Sequence, residues 1–219
     1  MAAFAAQNRA ITREDYITRV YSLPPKFGSV AKAYIISDSQ INTNDKTYPS
    51  ETISNPLALN LYLLAYNSAG QFVPCNQALK ENIRTYISQY RMLTDAINIK
   101  SAFIINLGVD FEIITRPSYN SNEVLIRCIA ALKVILNNER MQINGPIDIS
   151  NLISTVDQVD GVQSVLNFTF QNKVGGTYSP NRYDVKNAIK NNILYPSLDP
   201  CIFEIKYPNS DIKGKVVKV

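Results

Sequence analysis

The chain has 219 residues, of which 46% are hydrophobic and 18% charged, and its formal net charge is +4. These values describe a folded chain with room for one large domain or two small ones, not a disordered tail. The basic residues are scattered apart from Lys213, Lys215 and Lys218, which counts against the concentrated stripe of a nucleic-acid binder, and no apolar run reaches the roughly 18–20 residues of a membrane helix.

Histidine is absent. That removes Ser-His and Cys-His nucleophilic pairs, histidine bases and histidine metal ligands together. The three cysteines, Cys75, Cys128 and Cys201, are odd in number and far apart. They fit neither a zinc pattern nor a disulfide framework and are expected to be reduced thiols, partly buried, in a protein made in the cytosol. No metal and no cofactor is expected.

In chain order, Thr12-Arg13-Glu14-Asp15 predicts a capped helix start. Tyr16, Ile17, Val20 and Leu23 lie on one face, and Pro24-Pro25 ends the helix. After Gly28, residues 30–37 predict a strand. Residues 38–56 read as a long polar loop, an element often used for contacts. Residues 57–66 predict a strand closed by the turn Asn67-Ser68-Ala69-Gly70. A helix follows from Asn76 to about Tyr90, with Leu79, Ile83, Tyr86, Ile87 and Tyr90 as its apolar face.

Residues 103–115 predict one long strand, or two joined at Gly108. In it Val109, Phe111 and Ile113 alternate with Asp110 and Glu112. Asn120 or Ser121 caps a helix running to about Asn138, and Asp148 or Ser150 caps a shorter one carrying Leu152, Ile153, Val156 and Val159. Gly161-Val162 then opens a strand through Phe170. This second helix–glycine–strand unit echoes the first with an offset of 136 positions up to Leu23, which suggests an internal duplication. Residues 184–193 predict a short helix, 202–207 an alternating strand and 214–219 an edge strand. The fold class is α+β, with mixed or antiparallel sheets and packed helices. The expected division is a first α/β subdomain over 1–118 and a second, related one over 119–219.

Three arrangements bear on chemistry. Asp110 and Glu112 share one face of a strand, as paired carboxylates for acid–base work or cation binding do, but the alternation already explains them as a wet sheet face. Asp157 and Asp160 fit turn chemistry better than a calcium loop. Lys173-Val174-Gly175-Gly176-Thr177 lacks the order of a phosphate loop and reads as a hairpin tip. The stretch 174–200 has no regular period yet carries Tyr178, Tyr183, Tyr195 and Leu198. These are candidate interface residues, unless the segment wraps its own sheet.

The stretch Gln7-Asn8-Arg9-Ala10-Ile11-Thr12-Arg13-Glu14-Asp15-Tyr16 resembles the "R-A-V-T-x-x-D-Y" element of the baseplate J-like family of contractile-tailed phages. Residues 148–165 resemble that family's later helix, Gly-Val, strand element. Tyr195-Pro196-Ser197-Leu198-Asp199-Pro200 through Pro208, with Asp211-Ile212-Lys213-Gly214, resembles the C-terminal end of a baseplate wedge subunit. The resemblance implies a virion structural protein of the tail baseplate, synthesised in the host cytoplasm. Such a protein dimerises and joins other wedge proteins, binds neither nucleic acid nor membrane, and has no catalytic residue. Family members are much longer, with the motif well inside them, so the resemblance also implies a C-terminal portion or an unusually short homologue. Arg9, Thr12, Asp15 and Tyr16 are read as a structural motif: cap, anchor and loop contact. The alternative reading is a tail-associated carbohydrate-binding module or hydrolase, which needs an aromatic-lined concavity or two facing acids.

Overall fold

The computed structural model describes residues 9–37, 58–92 and 95–217. The expected loop at 38–56 lies outside these residues. Among the described residues there are six α-helices and eleven strands in mixed sheets, an α+β architecture. The chain forms two compact units that meet at 102/103, earlier than the 118/119 expected. The reason is strand 103–115, which among the described residues pairs only with strands from later in the chain and so belongs to the second unit.

In the first unit, α1 (Arg13–Tyr21) buries Tyr16 and Val20. Pro25–Phe27 forms a single 3-10 turn, and Gly28 (φ 111°) turns the chain into β1 (Lys32–Ser37). β1 pairs antiparallel with β2 (Ala58–Tyr66). The turn after β2 is held by Asn67, whose Oδ1 accepts from the backbone N–H groups of Ala69 and Gln71. The unit continues through β3 (Phe72–Pro74), α2 (Gln77–Ser88) and β4 (Ala96–Ser101). β2 is central, antiparallel to β1 and β3 and parallel to β4. Leu61, Leu63 and Ile35 of the sheet pack with Tyr16, Val20, Ile83 and Ile87 of the helices as one core. The sequence reading missed β3, three residues ending in proline, and β4, whose Asn and Lys positions dilute its strand signal.

In the second unit the central strand is β5 (Phe103–Thr115), unbroken at Gly108. It is followed by α3 (Ser121–Ile135), β6 (Ile147–Asp148), α4 (Ile149–Asp157) and β7 (Val162–Lys173). Then come α5 (Val185–Ala188), β8 (Ile189–Lys190), β9 (Ile193–Leu194), β10 (Cys201–Glu204), α6 (Pro208–Asp211) and β11 (Ile212–Val216). β7 runs antiparallel to β5, while β10 and β11 run parallel to its first and second halves. β6, β9 and β8 make a small separate sheet. Leu107, Val109, Phe111 and Ile113 face a core completed by Val124, Cys128, Leu132, Leu152 and Val156.

Two expectations in this unit are corrected. The short helix over 184–193 stops at Ala188, because Asn191 and Asn192 adopt φ of 51° and 59° and turn the chain between β8 and β9. The alternation over 202–207 fails: Cys201 to Ile205 are all buried, Glu204 included, because β10 is covered on both faces as a strand in a parallel pair commonly is.

Candidate functional site

The Arg9–Tyr16 motif is a helix start locked from several sides. Thr12 Oγ1 accepts from the Asp15 N–H at 3.1 Å, and the Asp15 carboxylate accepts from the N–H groups of Thr12 (2.9 Å) and Ile11 (3.1 Å). This is the reciprocal capping box expected from the sequence. The two backbone donors hold the Asp15 carboxyl below its ordinary value. Ala10 is fully buried and donates its N–H to Tyr90 O at 2.9 Å. The Arg19 guanidinium lies 4.4 Å from the Tyr90 ring centroid.

Tyr16 is 1% exposed and donates its hydroxyl to Asp95 at 2.6 Å. Burial, with that carboxylate beside it, pushes its pKa up to about 12. Tyr16 therefore ties α1 to the entry of β4. The sequence reading took Tyr16 as an anchor and did not foresee Asp95. Arg9 is exposed and lines a groove of about 470 Å³ with Asp15, Thr18 and Arg19.

The four candidate interface residues separate into two pairs. Tyr178 donates its hydroxyl to Asp211 at 2.6 Å, its pKa pushed up to about 12 chiefly by that bond, and its ring meets Tyr207 edge-on at 5.6 Å. Tyr183 donates to the Tyr195 carbonyl at 2.6 Å and tilts against Phe203. Both are half-buried. Tyr195 and Leu198 remain 43% and 79% exposed.

The segment that carries these residues is pinned to its own sheet through side-chain amides, one of them, Asn106, buried. Asn106, 1% exposed, donates to Glu204 at 2.7 Å and accepts from Ser179 N–H at 2.7 Å. Asn138 donates to the other Glu204 oxygen at 3.2 Å. Asn172 donates to the Asn106 carbonyl and accepts from Tyr183 N–H, and Asn181 donates to the Ile104 carbonyl. Lys206 donates to the Thr177 carbonyl. Residues 175–178 form a turn, with Tyr178 N–H donating to Gly175 O, but among the described residues no strand returns alongside β7. The sequence signal missed was the recurring asparagine, at Asn106, Asn138, Asn172 and Asn181.

Asp110 and Glu112 lie in register with Lys213 and Lys215 of β11. They line a groove of about 220 Å³ with those lysines and Asn167, and Asp110 also accepts from Gln171 Nε2. The carboxylates thus face cations on a wet sheet surface. Cys75, Cys128 and Cys201 are buried free thiols whose burial raises their pKa, to about 11 for the first two. Among the described residues no group of three or more Cys, Asp or Glu side chains is placed to hold a metal ion. A groove of about 350 Å³ beside α2 is lined by Arg84, Ile87, Ser88, Arg91, Ile97 and Ile99. No described helix is long and apolar enough to cross a membrane.

No family model and no curated protein sequence matches the chain. Its fold is similar to that of a chain in the cryo-EM structure of the anti-feeding prophage (AFP) baseplate, 6-fold symmetrised. The TM-score is 0.52 at 14% identity, over 93% of this chain and 39% of the longer baseplate chain. At that identity the similarity establishes a shared fold, one in which this chain spans well under half of its neighbour.

Proposed function

We propose that this chain is a structural component of a contractile tail baseplate, a wedge subunit of the J-like kind that associates with itself and with neighbouring wedge proteins in the virion. The observation that carries the reading is the fold match to a baseplate chain over 93% of this sequence. The order of three sequence elements, at 7–16, 148–165 and 195–214, supports it independently. We further propose that the chain has no catalytic activity. Its most enzyme-like acids, Asp110 and Glu112, lie in register with Lys213 and Lys215 on one sheet face, where strand alternation and cross-strand charge pairing account for them without a catalytic role.

Two measurements test this. Labelling of a tagged chain in micrographs of purified tail particles should place it at the baseplate, and density elsewhere on the particle would overturn the reading. Peptidoglycan, glycan and ester hydrolysis should stay at background. Turnover abolished by Asp110→Asn or Glu112→Gln would establish an enzyme instead.

A further inference from the structure

β7 pairs with β5 along one edge, and among the described residues no strand pairs with its other edge. From Val162 to Asn172 it carries no charged residue, no proline and no glycine. Strand edges that stay open in solution are normally guarded by lysine, proline, bulges or short length. β7 is twelve residues long, and its register irregularities fall between Glu112/Ile113 and Ile114/Thr115, so they protect only the end near Val162. Asn167 to Lys173 is regular. The corresponding outer strand of the first unit, β1, has six residues and begins with Lys32. An unguarded, regular edge is a template for an added strand.

We propose that a second copy of this chain adds its own β7 to this edge, antiparallel about a twofold axis at Thr169; this rests on the self-association proposed above and names its surface. Self-complementarity selects the occupant. With the axis at Thr169, Phe168 lies opposite Phe170 on the core-facing side, and Asn167 lies opposite Gln171 on the wet side. Like meets like without charge, and aromatic cross-strand pairs are favourable. Lys173 falls at the two ends, far from its own copy. An axis at Phe170 sets Phe168 against Asn172 and Asn167 against Lys173, and an axis at Asn167 runs into the irregular residues. The pairing uses both open edges and closes as a dimer. Leu166, 52% exposed, adds apolar area beside the strand pair.

The test is sedimentation of the full chain across a concentration series, with circular dichroism confirming that each variant is folded. Thr169 is exposed, so the fold should accept a charge there. Wild type should dimerise. Thr169→Lys and Thr169→Glu should each weaken the dimer by roughly tenfold or more, because like charges meet across the axis. An equal mixture of the two should regain it. Oxidised Thr169→Cys should cross-link within the dimer while Gln163→Cys does not, and the three native thiols, all buried, leave this readout clean. A dimer indifferent to charge at Thr169, or equal cross-linking from Gln163→Cys, overturns the β7 pairing and leaves self-association standing. A strict monomer overturns both, and the baseplate assignment then stands or falls on particle labelling alone.

Discussion

Each unit is built on a central strand that carries a buried asparagine, and each asparagine faces a polar residue directly across its parallel neighbour. In the first unit Asn60, fully buried, sits in register with Asn98 at 3.4 Å. In the second, Asn106 sits in register with Glu204 at 2.7 Å. Around them the helix, glycine and outer strand correspond as well. Tyr16 and Val20 of α1, and Leu152 and Val156 136 positions later, are all buried. Gly28 and Gly161 both have positive φ, and a Cβ on either would meet the first turn of the helix after the central strand, at Leu79 or Val124. The difference lies on the far side of the central strand. The first unit reaches β4 soon after α2. The second passes through the segment 174–200, whose regular structure is limited to the short α5, β8 and β9, before β10, and uses asparagine side chains to hold its first part. Where regular hydrogen-bonded structure is absent, side-chain amides take over the backbone's partners.

The comparison is broken most sharply at the two asparagines. Asn98 is exposed, so water compensates the Asn60 side of the pair once it is lost. Glu204 is 1% exposed, and removing Asn106 strips a buried carboxyl of a donor and Ser179 of its acceptor. Asn106→Leu should cost about 3 kcal/mol and Asn60→Leu about 1–2 kcal/mol, read from urea midpoints at constant slope. Asn106→Leu should also speed amide exchange at Ser179. Equal costs would mean that the buried carboxyl is held mainly by its other contacts.

The glycines give the next effect. An added Cβ at Gly161 meets Val124 at 2.6 Å and the Tyr119 ring at 2.7 Å, whereas at Gly28 its closest contact is the end of the Leu79 side chain at 2.8 Å. Leu79 has rotamers to give way, and a ring wedged beside a fully buried valine does not. Gly161→Ala should therefore cost about 2–4 kcal/mol and Gly28→Ala about 1–3 kcal/mol, the strain of positive φ being common to both. A Gly28→Ala variant less stable than Gly161→Ala would show that Leu79 is the more rigid neighbour.

Much of this architecture was legible in the sequence, for identifiable reasons. The cap at Thr12 and the cap candidates Asn120 or Ser121 and Asp148 or Ser150 were visible because capping is local chemistry; the structure uses Thr12, Asn120 and Asp148, and it also caps the helix read from Asn76 with that residue. The repeated helix–glycine–strand unit was visible because its buried positions keep one offset. What local pattern does not encode is pairing. That β5 takes β7, β10 and β11 as partners depends on contacts from far along the chain, which is why the units divide earlier than expected and the alternation expected over 202–207 fails at the buried Glu204. Tyr178 and Tyr183 looked like interface anchors for the same reason. Composition reveals aromatic groups on an irregular segment, but not that Asp211 and the Tyr195 carbonyl accept their hydroxyls.

The smallest effect separates the two helix caps. Thr12→Ala and Asp148→Ala each remove a side-chain acceptor from a helix start, Asp148 accepting from Ser150 and Asn151 N–H at 2.9 and 3.2 Å, and each should cost about 1 kcal/mol. The first cap differs in being reciprocal, because Asp15 reaches back to the Thr12 and Ile11 N–H groups. Those bonds depress the Asp15 pKa in the folded chain below the ordinary 3.8. A depressed carboxylate contributes stability that is fully present above its unfolded pKa and is lost as pH falls through the folded value. Asp15→Asn should therefore destabilise the chain at neutral pH, and its deficit against wild type should shrink once the pH drops below 3.8. Denaturation of wild type and Asp15→Asn over that acid range is the measurement. A deficit that stays constant with pH would assign the role of Asp15 to shape and packing, and the two caps would then be energetically alike.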